Sequence, residues 1–228
     1  MSAQKNIRID ERVLSDNDHI AGQLRLRFAE QGTLVVNLIS SPGSGKTSLL
    51  EATVRTLGKD FRTGSVVGDI ATERDADRLR ALGIPASQIL TGGACHLDAR
   101  LVKAALGRGG FEWLDFLFIE NVGNLICPTA YDLGEDFKVA LLSVAEGDDK
   151  PLKYPGIFSR AAVTIITKTD LLPHVSFDLD RVRAEIRALN PTGTILAASA
   201  RSGDGIRDWC ALLRDRLASK VSIASEVV

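Results

Sequence analysis

The chain has 228 residues, 28 basic against 29 acidic, and 45% of them are hydrophobic. A formal net charge of -1 supplies no field for gripping a phosphate backbone, which excludes a dedicated nucleic-acid binder. A chain of this size can bury roughly 70% of its unfolded surface, so it needs neither disulfides nor a structural metal to hold a core. Cys95, Cys127 and Cys210 are an odd set too sparse for a disulfide framework, residues 1–5 open no apolar signal core, and the longest apolar runs are far shorter than the roughly 20 residues of a membrane span. The expectation is a cytoplasmic protein with no membrane partner.

Residues 12–31 carry Val13, Leu14, Ile20, Leu24, Leu26 and Phe28 among charges of both signs, and Gly32 closes the stretch, the pattern of a leading amphipathic helix. Short apolar runs at 34–39, 65–67, 114–119, 139–144, 163–166 and 194–197 then alternate with helical patterns at 47–57, 72–82, 97–106 and 178–189. That alternation predicts an α/β fold of three layers, a mostly parallel sheet with helices on both faces. Residues 146–151 read as a charged loop, and no repeat, low-complexity tract or linker interrupts the chain.

The first run leads into Ser40-Ser41-Pro42-Gly43-Ser44-Gly45-Lys46-Thr47-Ser48 and a helical pattern follows at once. Strand, glycine-rich loop and helix in that order form a phosphate-binding loop: Gly43, Ser44 and Gly45 let backbone N–H groups approach phosphate oxygens, Lys46 serves the terminal phosphates, and the Thr47 hydroxyl serves magnesium. The strict pattern has glycine where Ser40 stands, a departure expected to fall away from the phosphate cradle. Glu120 ends an apolar strand and is the candidate Walker B carboxylate, a position where ligands of open α/β sheets collect. Asp69 follows the run at 65–67 and is the candidate switch acid that senses magnesium and the γ-phosphate. Asp75 either joins it or simply answers the dipole of the helix it starts.

Thr167-Lys168-Thr169-Asp170 follows a late apolar strand and resembles the Asn-Lys-x-Asp guanine motif, with threonine in first place. A carboxylate at Asp170 accepts from the N1 and N2 donors of guanine, a pair that adenine lacks. Ala198-Ser199-Ala200 resembles the loop whose backbone touches the guanine carbonyl oxygen. Cys95-His96 and Cys127-Pro128 offer two thiolates and an imidazole, which suit nickel or zinc, although the same residues also suit a buried core. Three ligands leave the shell incomplete, so water or a second subunit would have to finish it. Cys210 reads as core, and His19 and His174 stand alone.

Taken in order, residues 40–47, 68–75, 95–98 and 120–125, continued by 146–155, 167–173 and 199–205, closely resemble the HypB family of GTPases that act in nickel insertion into hydrogenase. The resemblance covers nearly the whole chain. It implies a P-loop NTPase of the SIMIBI type, a slow magnesium-dependent GTPase, with residues 1–32 as a helical lead-in, 33–220 as the GTPase domain and 221–228 as a frayed tail. It further implies GTP, Mg²⁺ and Ni²⁺ (or Zn²⁺) as cofactors and cargo, Cys95, His96 and Cys127 as an interface metal site, a nucleotide- and metal-dependent homodimer, and other hydrogenase-maturation factors as partners. Lys150 or Lys153 would reach across to the partner's nucleotide. The chain departs from the family's common pattern at Thr167, at Arg100 where a histidine often stands, and in residues 1–33, which hold no cysteine and only His19. The alternatives are a UreG-like urease nickel GTPase, whose metal motif is Cys-Pro-His, a P-loop small-molecule kinase, and a metal carrier without turnover.

Overall fold

A computed structural model describes residues 2–70 and 73–226. In chain order the main elements are α1 (Ser2–Glu30), β1 (Leu34–Ser40), α2 (Lys46–Leu57), β2 (Thr63–Asp69), α3 (Arg74–Arg80), β3 (Ala86–Leu90), α4 (Ala99–Leu106), β4 (Phe116–Glu120), α5 (Cys127–Ala130) and β5 (Phe137–Ser143). They continue as α6 (Lys150–Lys153), α7 (Pro155–Arg160), β6 (Val163–Thr167), α8 (Leu179–Leu189), β7 (Thr194–Ala197) and α9 (Ile206–Glu226). The seven strands form one sheet in the order β3-β2-β4-β1-β5-β6-β7, and the registered pairs are all parallel.

Period-two alternation divides the core. On β1, Leu34, Val36 and Leu38 join the layer made with α2, α3 and α9. Val35 faces the opposite layer with α1 and α4, and Ile39 faces a neighbouring cluster with α7 and α8. Between the latter two clusters the same face of β1 carries Asn37, fully buried. Its amide donates to Glu135 Oε1 at 3.2 Å and its carbonyl oxygen accepts from Asn121 at 3.3 Å. The polar gap is thus filled by hydrogen bonds, as burial requires.

Two expectations are corrected. β3 was missed because Ser87 and Gln88 break its apolar run; both are buried, and Gln88 donates to the Val67 carbonyl and accepts from the Ala76 amide. The stretch 146–151 is not simply a loop, since the turn Val144–Glu146 is 3₁₀-helical and Lys150 starts α6. The helix pattern at 72–82 is observed from Arg74, and Thr72 lies outside the described residues. The expected tail at 221–228 is helical through Glu226, with Val227 and Val228 outside the described residues. On α1, Leu24 and Phe28 are buried while Leu26 faces solvent, and no described helix is long and apolar enough to cross a membrane.

α1 is seated against the turn before β5. Gly134 has φ +82°, and a Cβ there would lie 2.8 Å from Leu24 Cβ and 2.9 Å from the Ala21 carbonyl oxygen. Gly134→Ala therefore combines left-handed strain with overpacking against helix backbone and should cost roughly 2–5 kcal/mol. Urea unfolding checks this: the midpoint should fall with little change in slope.

Candidate nucleotide and metal site

The loop after β1 wraps a cleft at the C-terminal edge of the sheet, where the chain leaves the central strand. Gly43 and Gly45 adopt φ of 76° and 95°, a left-handed pair that turns successive N–H groups toward a common point. The cleft encloses about 400 Å³ and is lined by residues including Gly43, Gly45, Lys46, Thr47, Ser48, Asp69, Asp75 and Glu120. The expected phosphate and magnesium residues are thereby brought together.

Lys46 is 8% exposed, and burial pulls its pKa down while the charge of Glu120 pulls it back. Its Nζ donates to Ser40 Oγ at 3.0 Å. Ser40, expected to fall away from the phosphate cradle, instead reaches it: where the strict pattern has no side chain, this one holds the lysine, and its own hydroxyl donates to the Ser41 carbonyl. Glu120 is buried at the end of β4, its pKa pushed up to about 7 by burial, with Lys46 and Thr47 opposing. Thr47 Oγ1 donates to Glu120 Oε1 at 2.9 Å, and Glu120 Oε2 is buried without a hydrogen-bond partner. A hydroxyl beside an orphaned carboxylate oxygen, with Asp69 on the same cleft, fits a hard divalent cation such as Mg²⁺.

Asp75 lies in the first turn of α3, where Arg78 Nη1 holds it at 3.2 Å. Arg78 also grips Glu51 with two contacts of 3.0 Å and donates to Ser48 Oγ at 3.2 Å. Both readings of Asp75 meet here: it lines the cleft and is ion-paired within its own helix. Arg78 itself, absent from the sequence reading, ties α3 to α2.

A second cavity of about 260 Å³ continues from the loop and is lined by residues including Ser44, Lys168, Asp170, Ala200 and Arg201. Thr167 Oγ1 donates to the Ser44 carbonyl at 2.7 Å, and Lys168, at φ 59°, donates to the Gly43 carbonyl at 2.6 Å. Threonine in the first motif position therefore fastens this loop to the phosphate loop. Ser199 is placed differently from the expectation: it is fully buried, its N–H is taken by the Asp204 carbonyl and its hydroxyl donates to Asp170 Oδ1 at 2.6 Å. It orients the acid, while the neighbouring Ala200 lines the cavity.

Cys95, His96 and Cys127 place their ligand atoms within 4.8 Å of one another, all half-buried. Cys95 Sγ lies 3.7 Å from His96 Nδ1. A hydrogen bond with Cys127 raises the Cys95 pKa, while burial lowers that of His96, so the imidazole is biased to its neutral form, the one a metal requires. The His96 ring stacks on Tyr131 at 3.9 Å between centroids, a contact not read from the sequence. Cys210 is buried in the core with its thiol pushed up to about 11 by burial, while His19 faces Gln23 at 3.0 Å. Lys153 is ion-paired to Asp149, and Lys150 sits 5.6 Å from the Tyr154 ring centroid.

The profile of the CobW/HypB/UreG nucleotide-binding domain matches residues 34–197. The hydrogenase maturation factor HypB of Azotobacter vinelandii is 50% identical over 211 residues, covering 92% of this chain and 70% of that protein. The hydrogenase/urease maturation factor HypB of Helicobacter pylori strain J99 is 44% identical, covering 91% of this chain and 86% of that one. The crystal structure of Helicobacter pylori HypB in complex with nickel superposes with a TM-score of 0.84 at 42% identity, over 90% of this chain and 96% of that one. That of HypB from Archaeoglobus fulgidus gives 0.84 at 39% identity, over 90% and 100%.

Burial of Glu120 sets a pH dependence. Its pKa is about 7 when folded against 4.5 ordinarily, so between those values the folded protein holds a proton that the unfolded chain has released. Stability therefore falls as pH rises through that window, by up to roughly 3 kcal/mol from this group. Glu120→Gln should remove that component, read as the wild-type minus variant difference in urea stability at about pH 5 and about pH 7.5, without nucleotide or metal.

Proposed function

The chain belongs to the CobW/HypB/UreG family of nucleotide-binding domains, on its HypB side, and from that premise we propose that it is a GTP-hydrolysing nickel carrier that delivers or gates the metal during hydrogenase maturation. One observation carries the reading: the segment that starts at Glu120 in the nucleotide cleft ends seven residues later at Cys127, beside Cys95 and His96. Midway, Gly123 lies against the phosphate loop, where a Cβ would meet Pro42 Cα and N at 2.9 Å. A shift of the loaded phosphate loop is thereby pressed onto the strand of chain that bears a metal thiol. The working division is residues 1–32 as lead-in and 33–220 as the GTPase unit, acting in the cytoplasm.

In this mechanism Asp170, oriented by Ser199, accepts the two guanine donors, while Lys168 and Ala200 wall the base. Gly43, Ser44, Gly45 and Ser48 shape the phosphate loop, and Lys46 leaves Ser40 for the terminal phosphates. Thr47, Glu120 and Asp69 would hold Mg²⁺, which would supply charge neutralisation at the phosphates. Asp75, steered by Arg78, stands beside Asp69 as the second switch acid. Cys95, His96 and Cys127 hold Ni²⁺, or Zn²⁺ in its place, as cargo. Their three ligands leave a fourth position for a second copy of the chain or for water, which supports a nucleotide- and metal-dependent homodimer. The donor set also favours a hand-over, because an incomplete shell accepts a partner's ligand without first losing one of its own.

Nickel titration with GDP and with a non-hydrolysable GTP analogue tests the gate. Affinity should differ between the two by about 5–150-fold, and nucleotide affinities should show the reverse dependence by linkage. Cys127→Ala should lose more than about 100-fold in nickel affinity. Equal nickel affinity in both nucleotide states removes the gate. For the base, Asp170→Ala should weaken GTP binding by about 10²-fold or more, through loss of two charge-assisted bonds, measured by competition with a fluorescent guanine nucleotide.

A further inference from the structure

Leu97 follows His96 directly, and it is held from both acid-bearing strand ends. At the β4 end, Asn121 is fully buried and lines the nucleotide cleft beside Glu120. Its Oδ1 accepts from the Leu97 amide at 3.1 Å and from the Val122 amide at 3.0 Å, and its Nδ2 donates to Asn37 Oδ1 at 3.3 Å. Two backbone donors facing the same atom fix which way the side-chain amide points. At the β2 end, the Leu97 side chain packs on Gly68, where a Cβ would come within 2.8 Å, immediately before Asp69.

Building on the nickel-gate reading above, we propose that Asn121 is a positioning residue that sets His96 relative to Cys95 and Cys127 according to the nucleotide state. The argument is geometric. A displacement of the β4 end that accompanies occupation of the cleft moves the Asn121 carboxamide, and the Leu97 amide must follow or lose its buried acceptor, an unfavourable outcome. The His96 ring cannot absorb the movement by turning freely, because it is stacked on Tyr131. The displacement therefore reaches the imidazole nitrogen, whose distance to Cys95 Sγ is 3.7 Å in this structure. Coupling of this kind needs a contiguous chain with two arrangements, and one side chain supplies the link.

Titration with Ni²⁺ alone as the metal, in GDP and in the non-hydrolysable analogue, is run on the wild type, Asn121→Ala and Asn37→Ala. Asn37→Ala perturbs the same buried chain while leaving the Leu97 bond intact. The expected result is a wild-type affinity ratio of about 10-fold that Asn37→Ala retains and that Asn121→Ala reduces to about one. A wild-type ratio of one overturns the gate itself, and this inference with it. A wild-type ratio that persists in Asn121→Ala overturns the Asn121 assignment alone, as does its loss in both variants. Should Asn121→Ala fail to fold, hydrogen exchange of the Leu97 amide in the wild type decides: protection that differs between the two nucleotides supports the assignment, and equal protection overturns it.

Discussion

Lys46 is enclosed at the end of the central strand, and an ammonium group there is tolerable only because other groups answer it. Burial lowers its pKa, and the charges of Glu120, Asp75, Glu146 and Asp69 raise it again. Each of these acids comes from a different part of the chain: the end of β4, the start of α3, the turn after β5 and the end of β2. The parallel sheet is what lets them converge, because every strand delivers its last residue to the same edge. Replacing Lys46 would therefore leave several carboxylates facing one another in a poorly solvated cleft. Binding a triphosphate with Mg²⁺ exchanges one set of charges for another in the same place.

Around that charge the loops are pinned to one another. Thr167 and Lys168 donate to the carbonyls of Ser44 and Gly43, and Glu146 bonds the Ser44 hydroxyl. The phosphate loop is thus fastened from the base side through the carbonyls of Ser44 and Gly43, and from the turn that precedes α6 through the Ser44 hydroxyl, which donates to the Glu146 carboxylate. Preorganisation of this sort lowers the ordering cost that nucleotide binding would otherwise meet. It also means that a change at the phosphate loop reaches α6 and the base loop together.

The parts legible in the sequence were those whose chemistry lies in contiguous residues. Gly43 to Thr47 after an apolar run, Asp170 after another, and the Cys95-His96 pair announce themselves by type and spacing. The apolar alternation likewise located six of the seven strands. What stayed hidden depends on contacts far apart in the chain. Ser40 reads as a lapse from the motif, yet Lys46 donates to it, and Ser199 reads as a base contact, yet its N–H and hydroxyl are both engaged within the chain. β3 escapes because buried Ser87 and Gln88 mimic a surface segment; the Gln88 amide is satisfied by the Val67 carbonyl and the Ala76 N–H, which makes its burial tolerable, whereas Ser87 Oγ is buried without a hydrogen-bond partner. Asn121 sits in plain sight after Glu120, yet nothing local marks an asparagine that serves an amide 24 residues upstream.

The metal end is built on a different physical basis from the nucleotide end. Cys95 and His96 lie in the stretch before α4 and Cys127 opens a single helical turn, so none of the three candidate ligands stands on a long element. Their positions come instead from side chains that grip backbone: Asn121 holds Leu97, while Asn17 of α1 accepts from the Ala99 amide at 2.8 Å and donates to the Asp132 carbonyl at 2.8 Å. Arg25 fixes Asp132 from the same helix. The His96 loop is therefore suspended between the sheet on one side and α1 on the other, with Tyr131 supporting the ring. Leu97 anchors the segment in the core beside Gly68, and directional bonds to its backbone set how the half-buried Cys95 and His96 are presented. The nucleotide end is fastened loop to loop around one buried charge, whereas the Cys95-His96 segment is positioned by hydrogen bonds that Asn121 and Asn17 make to the backbone at Leu97 and Ala99.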